Sequence, residues 1–349
     1  MAATIPDPTS KESYCFLVDW YDSHANLTRQ YQLFWFPGDK TIEMYDLKQH
    51  RTFLKRTKSD LRLQELYPGA AVTLNARQLF VRAYGDEYTR ARMERQIERT
   101  LLVITSAGAQ LGQILDKVLN AGFSISRMRM GRLDGFGGGD GGGGRSVAVE
   151  LVKASGVADL LNIADQLSSS GKSQIYASPS LASAQNEINT IFNSSSSIPR
   201  TAQFHDCSLA IIRPHAVNAG HTGKIISSFQ KAGYEITDLQ LFRLEKADAE
   251  EFLEVYKGVV PEYYLILDEI TSGPLIAMEI TRPQTSTLEL IPALRDFAGP
   301  SDPELAKVLR PESVRAKYGV DKVKNGVHVT DLVEDGELEV QYFFRILSR

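Results

Sequence analysis

Two stretches of this chain follow one grammar. Residues 101–133 read LLVITSAGAQLGQILDKVLNAGFSISRMRMGRL, and residues 209–244 read LAIIRPHAVNAGHTGKIISSFQKAGYEITDLQLFRL. In each, a strand-like apolar run leads through a turn into an amphipathic helix that stops at Ala-Gly, and a second alternating run follows. KVLNAGFSI corresponds closely to SFQKAGYEI. An internal duplication of this kind constrains the fold strongly, because each copy must bury its helices on the same type of sheet. Pairs of β-α-β units around an antiparallel sheet make an α+β, ferredoxin-like sandwich, so two such domains are expected.

The region before the duplication has a different period. YCFLVDWYD, RQYQLFWFPGDKTIEMYD and RTFLKRT alternate apolar and polar residues, as half-buried strands do, with a hairpin turn at Pro37-Gly38-Asp39-Lys40. A small antiparallel β domain follows from this, with Trp20 and Trp35 in or beside its core. The stretch from Asp86 to Thr100 is charged and helix-favouring and reads as a connector. The expected organisation is a flexible N-terminus (1–10), the β domain (11–97), an eroded first repeat (98–193), a linker (194–204) and a fuller second repeat (205–349). The tract Gly135–Gly144 follows no strand-to-helix turn of the dinucleotide-binding type and reads as a flexible loop.

Composition removes several classes. Among 349 residues, 39 Lys and Arg face 43 Asp and Glu, for a net charge of −4, which argues against a protein built to grip nucleic acid. The two cysteines, Cys15 and Cys207, are far apart and form no metal-binding spacing, so neither a disulfide framework nor a protein-bound metal is expected. No apolar run approaches the ~20 residues of a membrane helix, and MAATIPDPTSKE lacks the order of a secretory signal. A soluble intracellular protein is expected.

At LAIIRPHAV, SGPLIAMEI, RPESVRAKYG and NGVHVTD, the segment from about Cys207 to Leu347 resembles nucleoside diphosphate kinases. PGDKTIEMYDLKQHRTFLKRT is similar to the small β domain found in axonemal members of that family, and the three-part layout resembles its homologue-seven branch. The resemblance implies ping-pong phosphoryl transfer, in which a histidine takes the γ-phosphate of a nucleoside triphosphate and passes it to a diphosphate. Mg²⁺ would arrive with the ATP or diphosphate rather than on the protein. On this resemblance His328 is the phosphorylated residue and Glu339 the acid that fixes its tautomer. Asn325, Arg295, Arg315, Ser301 and Thr330 fall at nucleotide- or phosphate-binding positions. Arg213 stands where the family has a lysine, a swap that changes geometry at a crowded phosphate site. The base-stacking phenylalanine is replaced by Glu262 with Tyr263 beside it, and a neighbouring arginine by Val260. His215 and His221 fall outside the family's catalytic positions and read as helix-surface or capping residues.

In the first repeat Tyr176 stands in the histidine's place, and a phenol with a pKa of about 10 is a poor phosphate carrier. Thr105 and Ser106 replace the family's lysine and proline, and Glu187 remains with no histidine to orient. That repeat is expected to be catalytically dead. The resemblance further implies a structural role inside ciliary and flagellar doublet microtubules, with tubulin, neighbouring microtubule inner proteins and the γ-tubulin complex as partners. The basic runs HRTFLKRTK and YTRARMERQIER offer local charge for such contacts; the alternative readings are an edge-strand surface for the first and a solvated connector helix for the second. A tandem pair of kinase-like repeats can satisfy its own interface, so a monomer rather than a hexamer is expected.

Overall fold

The computed structural model describes residues 12–22, 25, 27–75, 77–105, 110–133, 144–168, 174–193 and 198–347. The expected flexible N-terminus and most of the glycine tract lie outside them, as do Ser106 and linker residues 194–197. The chain divides into two compact units, residues 1–98 and 99–349.

The first unit is a six-stranded antiparallel sheet. Its strands are β1 (Tyr14–Asp22), β2 (Leu27–Phe36), β3 (Thr41–Asp46), β4 (Arg51–Lys58), β5 (Ala71–Leu74) and β6 (Arg77–Tyr84), in the order β4-β3-β2-β1-β6-β5. Alternate residues Phe16, Val18, Tyr31, Leu33, Ile42 and Met44 fill its core, as the period-two pattern requires. Trp35 is buried and donates its indole N–H to the Leu61 carbonyl at 3.0 Å, while half-buried Trp20 lies under the Arg77 guanidinium. β4 is an almost wholly exposed edge strand rather than a half-buried one, and four of its eight residues are Arg or Lys. The helix-favouring connector contains helix α1 (Glu87–Gln96), capped by Asp86, which takes the Thr89 N–H at 2.6 Å. Met93 and Thr89 are fully buried, and the Thr89 hydroxyl accepts the Cys15 amide at 2.8 Å, so the helix is docked on β1.

The second unit holds both repeats. The first repeat runs β7 (Glu98–Thr105), α2 (Leu111–Asn120), β8 (Ser124–Gly131), β9 (Ser146–Lys153), α3 (Gly156–Ser168), β10 (Gln174–Ala177) and α4 (Leu181–Ile188). The second begins β11 (Ser208–Ile212), α5 (Pro214–Asn218), α6 (Thr222–Lys231) and β12 (Glu235–Phe242). It continues through α7 (Lys246–Phe252), α8 (Tyr263–Ile270), β13 (Leu275–Thr281), α9 (Thr287–Ala298), α10 (Pro303–Leu309), α11 (Val314–Tyr318), β14 (Val327–Val329) and α12 (Gly336–Gln341). All eight strands form one sheet, β10-β7-β9-β8-β12-β13-β11-β14. Read outward from the middle, each half places its own second, third, first and fourth strands in the same order. Residues 132–145 of the first repeat occupy the chain interval that carries α7 and α8 in the second.

The halves meet through equivalent elements. β8 and β12 pair antiparallel at Arg129 and Gln240, and α2 packs on α6. The contact leaves no room for side chains at two points. A Cβ on Gly112 would lie 2.3 Å from the Ser227 nitrogen, and one on Gly223 would lie 2.3 Å from the Asp116 nitrogen. Each glycine thus meets the residue four positions along from the other. Leu111, Ile114, Leu115 and Val118 of α2 join Ile225, Ile226 and Phe229 of α6 in a single core.

The duplication extends to buried charge. A β-bulge falls between Ile125 and Arg127 and again between Ile236 and Asp238, and buried Glu150 and Glu279 sit opposite Arg127 and Asp238. Glu150 is paired with Arg99 and Arg127. Glu279 accepts the amides of Gln203 and Phe204 at 2.8 and 2.7 Å, and Asp238 those of Thr201 and Ala202 at 3.2 and 3.1 Å. Residues 198–204 are therefore not a free tether, since Arg129 and Arg132 of the first repeat also bond the carbonyls of Ile198 and Pro199.

Burial raises the Asp238 carboxyl to about 6, against the opposing pull of Arg200. A carboxyl raised in the fold favours the folded state fully below its unfolded pKa of about 4 and loses that contribution as pH rises through 6. Asp238→Asn should remove this component: compared with wild type, its urea midpoint should fall less between pH 4.5 and 7. Parallel curves for the two proteins would contradict the assignment.

Candidate active site

Strand β14 is only three residues long and entirely buried, and its pairing with β11 sets His328 opposite Ile211. The chain then passes Thr330, whose hydroxyl accepts the Leu209 amide at 3.1 Å, and turns into α12. That turn needs Gly336, where a Cβ would come within 2.8 Å of the Ile291 side chain and 2.9 Å of the Cys207 carbonyl. Glu339, in the first turn of α12, is thereby brought back to the strand. One of its oxygens takes the Thr330 hydroxyl at 2.7 Å and the His328 Nε2–H at 3.1 Å. The edges of Phe252 and Tyr256 flank the imidazole, with centroids 5.4 and 6.5 Å away. A ring whose Nε2 proton is held by a carboxylate keeps its lone pair on Nδ1, the arrangement required of a nitrogen nucleophile.

Cations gather behind the strand. Arg213, at the end of β11, is buried; its Nη1 donates to the Val323 carbonyl at 2.7 Å, while its Nε has no hydrogen-bond partner among the described residues. Arg315 of α11 is half-buried and donates to the carbonyls of Gly299 and Val327 at 2.8 and 3.2 Å. Burial, and then the neighbouring Arg213 guanidinium, push Arg315 down to about 10, and burial also lowers Arg213. Asn325 is buried; its amide donates to the Ser301 carbonyl at 3.3 Å, and its Oδ1 has no partner among the described residues. Two crowded guanidiniums that hydrogen-bond to carbonyls rather than carboxylates leave a positive site, which suits an anion.

The remaining candidates lie farther out. Arg295 is 54% exposed and faces Asp331 at 3.7 Å, and Asp331 also accepts the Tyr256 hydroxyl at 2.7 Å. Ser301 is exposed, and its link to the site is its backbone carbonyl. Tyr263 lies in the core and Tyr264 beside it is 69% exposed, so Tyr264 is the ring on the surface there. His221 is partly buried against the Tyr318 ring, and burial lowers its pKa. His215 is not a surface residue: it bridges Glu269 and the Gly326 amide. Tyr256, Asp331, Glu269 and His215 are functional candidates the sequence reading missed, and their separations along the chain carry no periodic signal.

The first repeat holds a counterpart of the imidazole site. Tyr176 of β10 and Ser178 both donate their hydroxyls to Glu187 of α4. The spacing 176, 178, 187 is that of 328, 330, 339, so Glu187 does have a group to orient, and it is a phenol. Burial, followed by the Glu187 carboxylate, raises Tyr176 to about 12, which keeps it a neutral donor. Thr105 ends β7 nearly buried, opposite Gln174, and offers no cation where Arg213 stands in the second repeat.

These features agree with known sequences. A nucleoside diphosphate kinase family model matches residues 206–347. Nucleoside diphosphate kinase homolog 7 of Rattus norvegicus is 37% identical over 376 aligned positions, spanning 97% of this chain and 94% of that one. The Mus musculus homolog 7 is likewise 37% identical, over 97% and 94% of the two chains. Among solved structures, the C222 crystal form of the Aquifex aeolicus nucleoside diphosphate kinase is 32% identical, covers 41% of this chain and 96% of that chain, and has a TM-score of 0.38. By full-length similarity to homolog 7, the chain belongs to the nucleoside diphosphate kinase family.

Proposed function

We propose that the second repeat transfers the γ-phosphoryl group of a nucleoside triphosphate to a nucleoside diphosphate through His328. The hydrogen bond from His328 Nε2 to Glu339 carries this reading, because it leaves Nδ1 as the nucleophile. Nδ1 forms a bond to the γ-phosphorus as the bond to the β-phosphate oxygen breaks, and the diphosphate leaves. A second diphosphate reverses the step. Arg213, Arg315 and Asn325 supply cation charge and donors for the equatorial oxygens. Mg²⁺ belongs to the nucleotide substrate; among the described residues no group of three or more His, Cys, Asp or Glu side chains is gathered to hold a metal. With Glu262 in place of the base-stacking ring, nucleotide should bind weakly, since a lost stack costs about 1–3 kcal/mol.

The test is labelling of the intact chain by γ-labelled ATP and Mg²⁺. Wild type should take up acid-labile, alkali-stable label and pass it to GDP, and His328→Ala should take up none. An unlabelled wild type, or label that persists in His328→Ala, would overturn the proposal.

A second reading concerns the rest of the chain. We infer a structural role in the lumen of ciliary and flagellar doublet microtubules, against tubulin and neighbouring microtubule inner proteins, with the γ-tubulin complex a further partner. The observation in its favour is that the β unit and the first repeat keep well-packed cores around no nucleophilic imidazole of their own, while β4 presents four exposed basic residues. A luminal brick uses shape and surface from every domain, so the loss of one active site does not matter to it. Among the described residues no helix is long and apolar enough to cross a membrane. The expected solution state is a monomer. In axonemes His328→Ala should still be incorporated, and a chain lacking residues 12–97 should not. Normal incorporation without the β unit would contradict this role.

A further inference from the structure

We propose that His215 is a positioning residue for the His328 reaction, holding the Gly326 amide and with it the approach to β14; this rests on the phosphotransfer reading above. His215 lies in the first turn of α5, two residues after Arg213. The Gly326 N–H donates to His215 Nε2 at 3.2 Å, and the Gly326 carbonyl accepts the Arg213 N–H at 3.0 Å. Both polar faces of one residue are thus gripped from the same turn. Gly326 has φ +88°, a left-handed conformation that glycine adopts readily and other residues do not, and it is buried between Asn325 and Val327, two residues before His328.

The imidazole is itself set by Glu269 at the end of α8. One Glu269 oxygen takes the His215 Nδ1–H at 2.7 Å and the His215 backbone N–H at 3.0 Å, and the two side chains are only 11% and 4% exposed. Because Gly326 is a donor, Nε2 must present its lone pair, so the ring is neutral with its proton on Nδ1. This is the reverse of His328, whose proton is on Nε2. The fold therefore holds two carboxylate-oriented imidazoles of opposite tautomer, one offering a nucleophile and the other an acceptor that shapes the loop reaching it. Asn325 and the Val323 carbonyl, which engages Arg213, lie on the same loop, so displacing Gly326 moves the amide side chain, the arginine contact and His328 together.

The test uses full-length chain carrying His215→Gln, which keeps one acceptor and one donor, and His215→Phe, which keeps bulk alone. Two quantities are read: hydrogen exchange at the Gly326 amide, and the rate and ATP dependence of acid-labile labelling. His215→Gln should stay within about threefold of wild type in both. His215→Phe should exchange Gly326 faster and lose about tenfold or more in maximal labelling rate, the size of effect that supporting groups around a reactive centre commonly show, with the ATP concentration for half-maximal rate little changed. Amides of β12 should stay protected in both variants. Should His215→Phe not fold, the imidazole nitrogen resonances of wild type decide, with Nδ1 protonated and Nε2 bare as the expected pattern. The reverse tautomer, or a His215→Phe chain with normal Gly326 protection and labelling, overturns the proposal. A wild type that takes no label sinks the phosphotransfer reading, and exchange at Gly326 then still decides whether His215 holds this amide.

Discussion

Helices α2 and α6 touch backbone to backbone at Gly112 and Gly223, and the rest of the second unit depends on that approach. With the helices this close, the edge strands β8 and β12 come within pairing distance, and two four-stranded sheets become one of eight. A side chain at either glycine would have to push a main-chain nitrogen away, and forced overpacking of a core commonly costs about 1–3 kcal/mol. Leu111, Ile114, Leu115 and Val118 of α2 and Ile225, Ile226 and Phe229 of α6 then belong to one continuous core over that sheet. A repeat with no imidazole nucleophile thus shares both its core and its sheet with the second repeat.

The same economy appears in the buried carboxylates. Glu150 and Glu279 lie opposite equivalent bulges, yet one is neutralised by two arginines and the other by backbone amides of the joining segment. Glu187 and Glu339 return to equivalent strands, one to a phenol and one to an imidazole. In both pairs the acid is a fixed feature of the scaffold, satisfied by whatever donor its half provides, because an unpaired buried carboxylate is costly. Chemistry differs between the halves through the donor and through the cations Arg213 and Arg315 of the second half, where Thr105 stands in the first at the position of Arg213.

Much of this was legible in the sequence, and the reasons for the rest are physical. The duplication, the period-two β unit and the ordered block around His328 announce themselves because they are local patterns. Alternation alone cannot distinguish an edge strand such as β4 from a half-buried one. The helix-favouring run announces α1, but not its docking, because Thr89 anchors it to Cys15, a contact spanning 74 positions. That linker residues 201–204 are held has no local sign either, because Asp238 and Glu279 act on them from strands of the second repeat. Ser178 could have been found by matching the 328, 330, 339 spacing, whereas the His215–Glu269–Gly326 bridge joins residues 54 and 111 positions apart with no pattern to betray it.

The two repeats share one sheet and one core, so they should unfold as a single unit. Native-state hydrogen exchange on the intact chain tests it directly, by comparing the slowest amides of β9 in the first repeat with those of β11 in the second as denaturant is added. Both sets should open with the same free energy and the same denaturant dependence. Exchange from β9 through an opening that leaves β11 protected, or the reverse, would show two independent domains and contradict it.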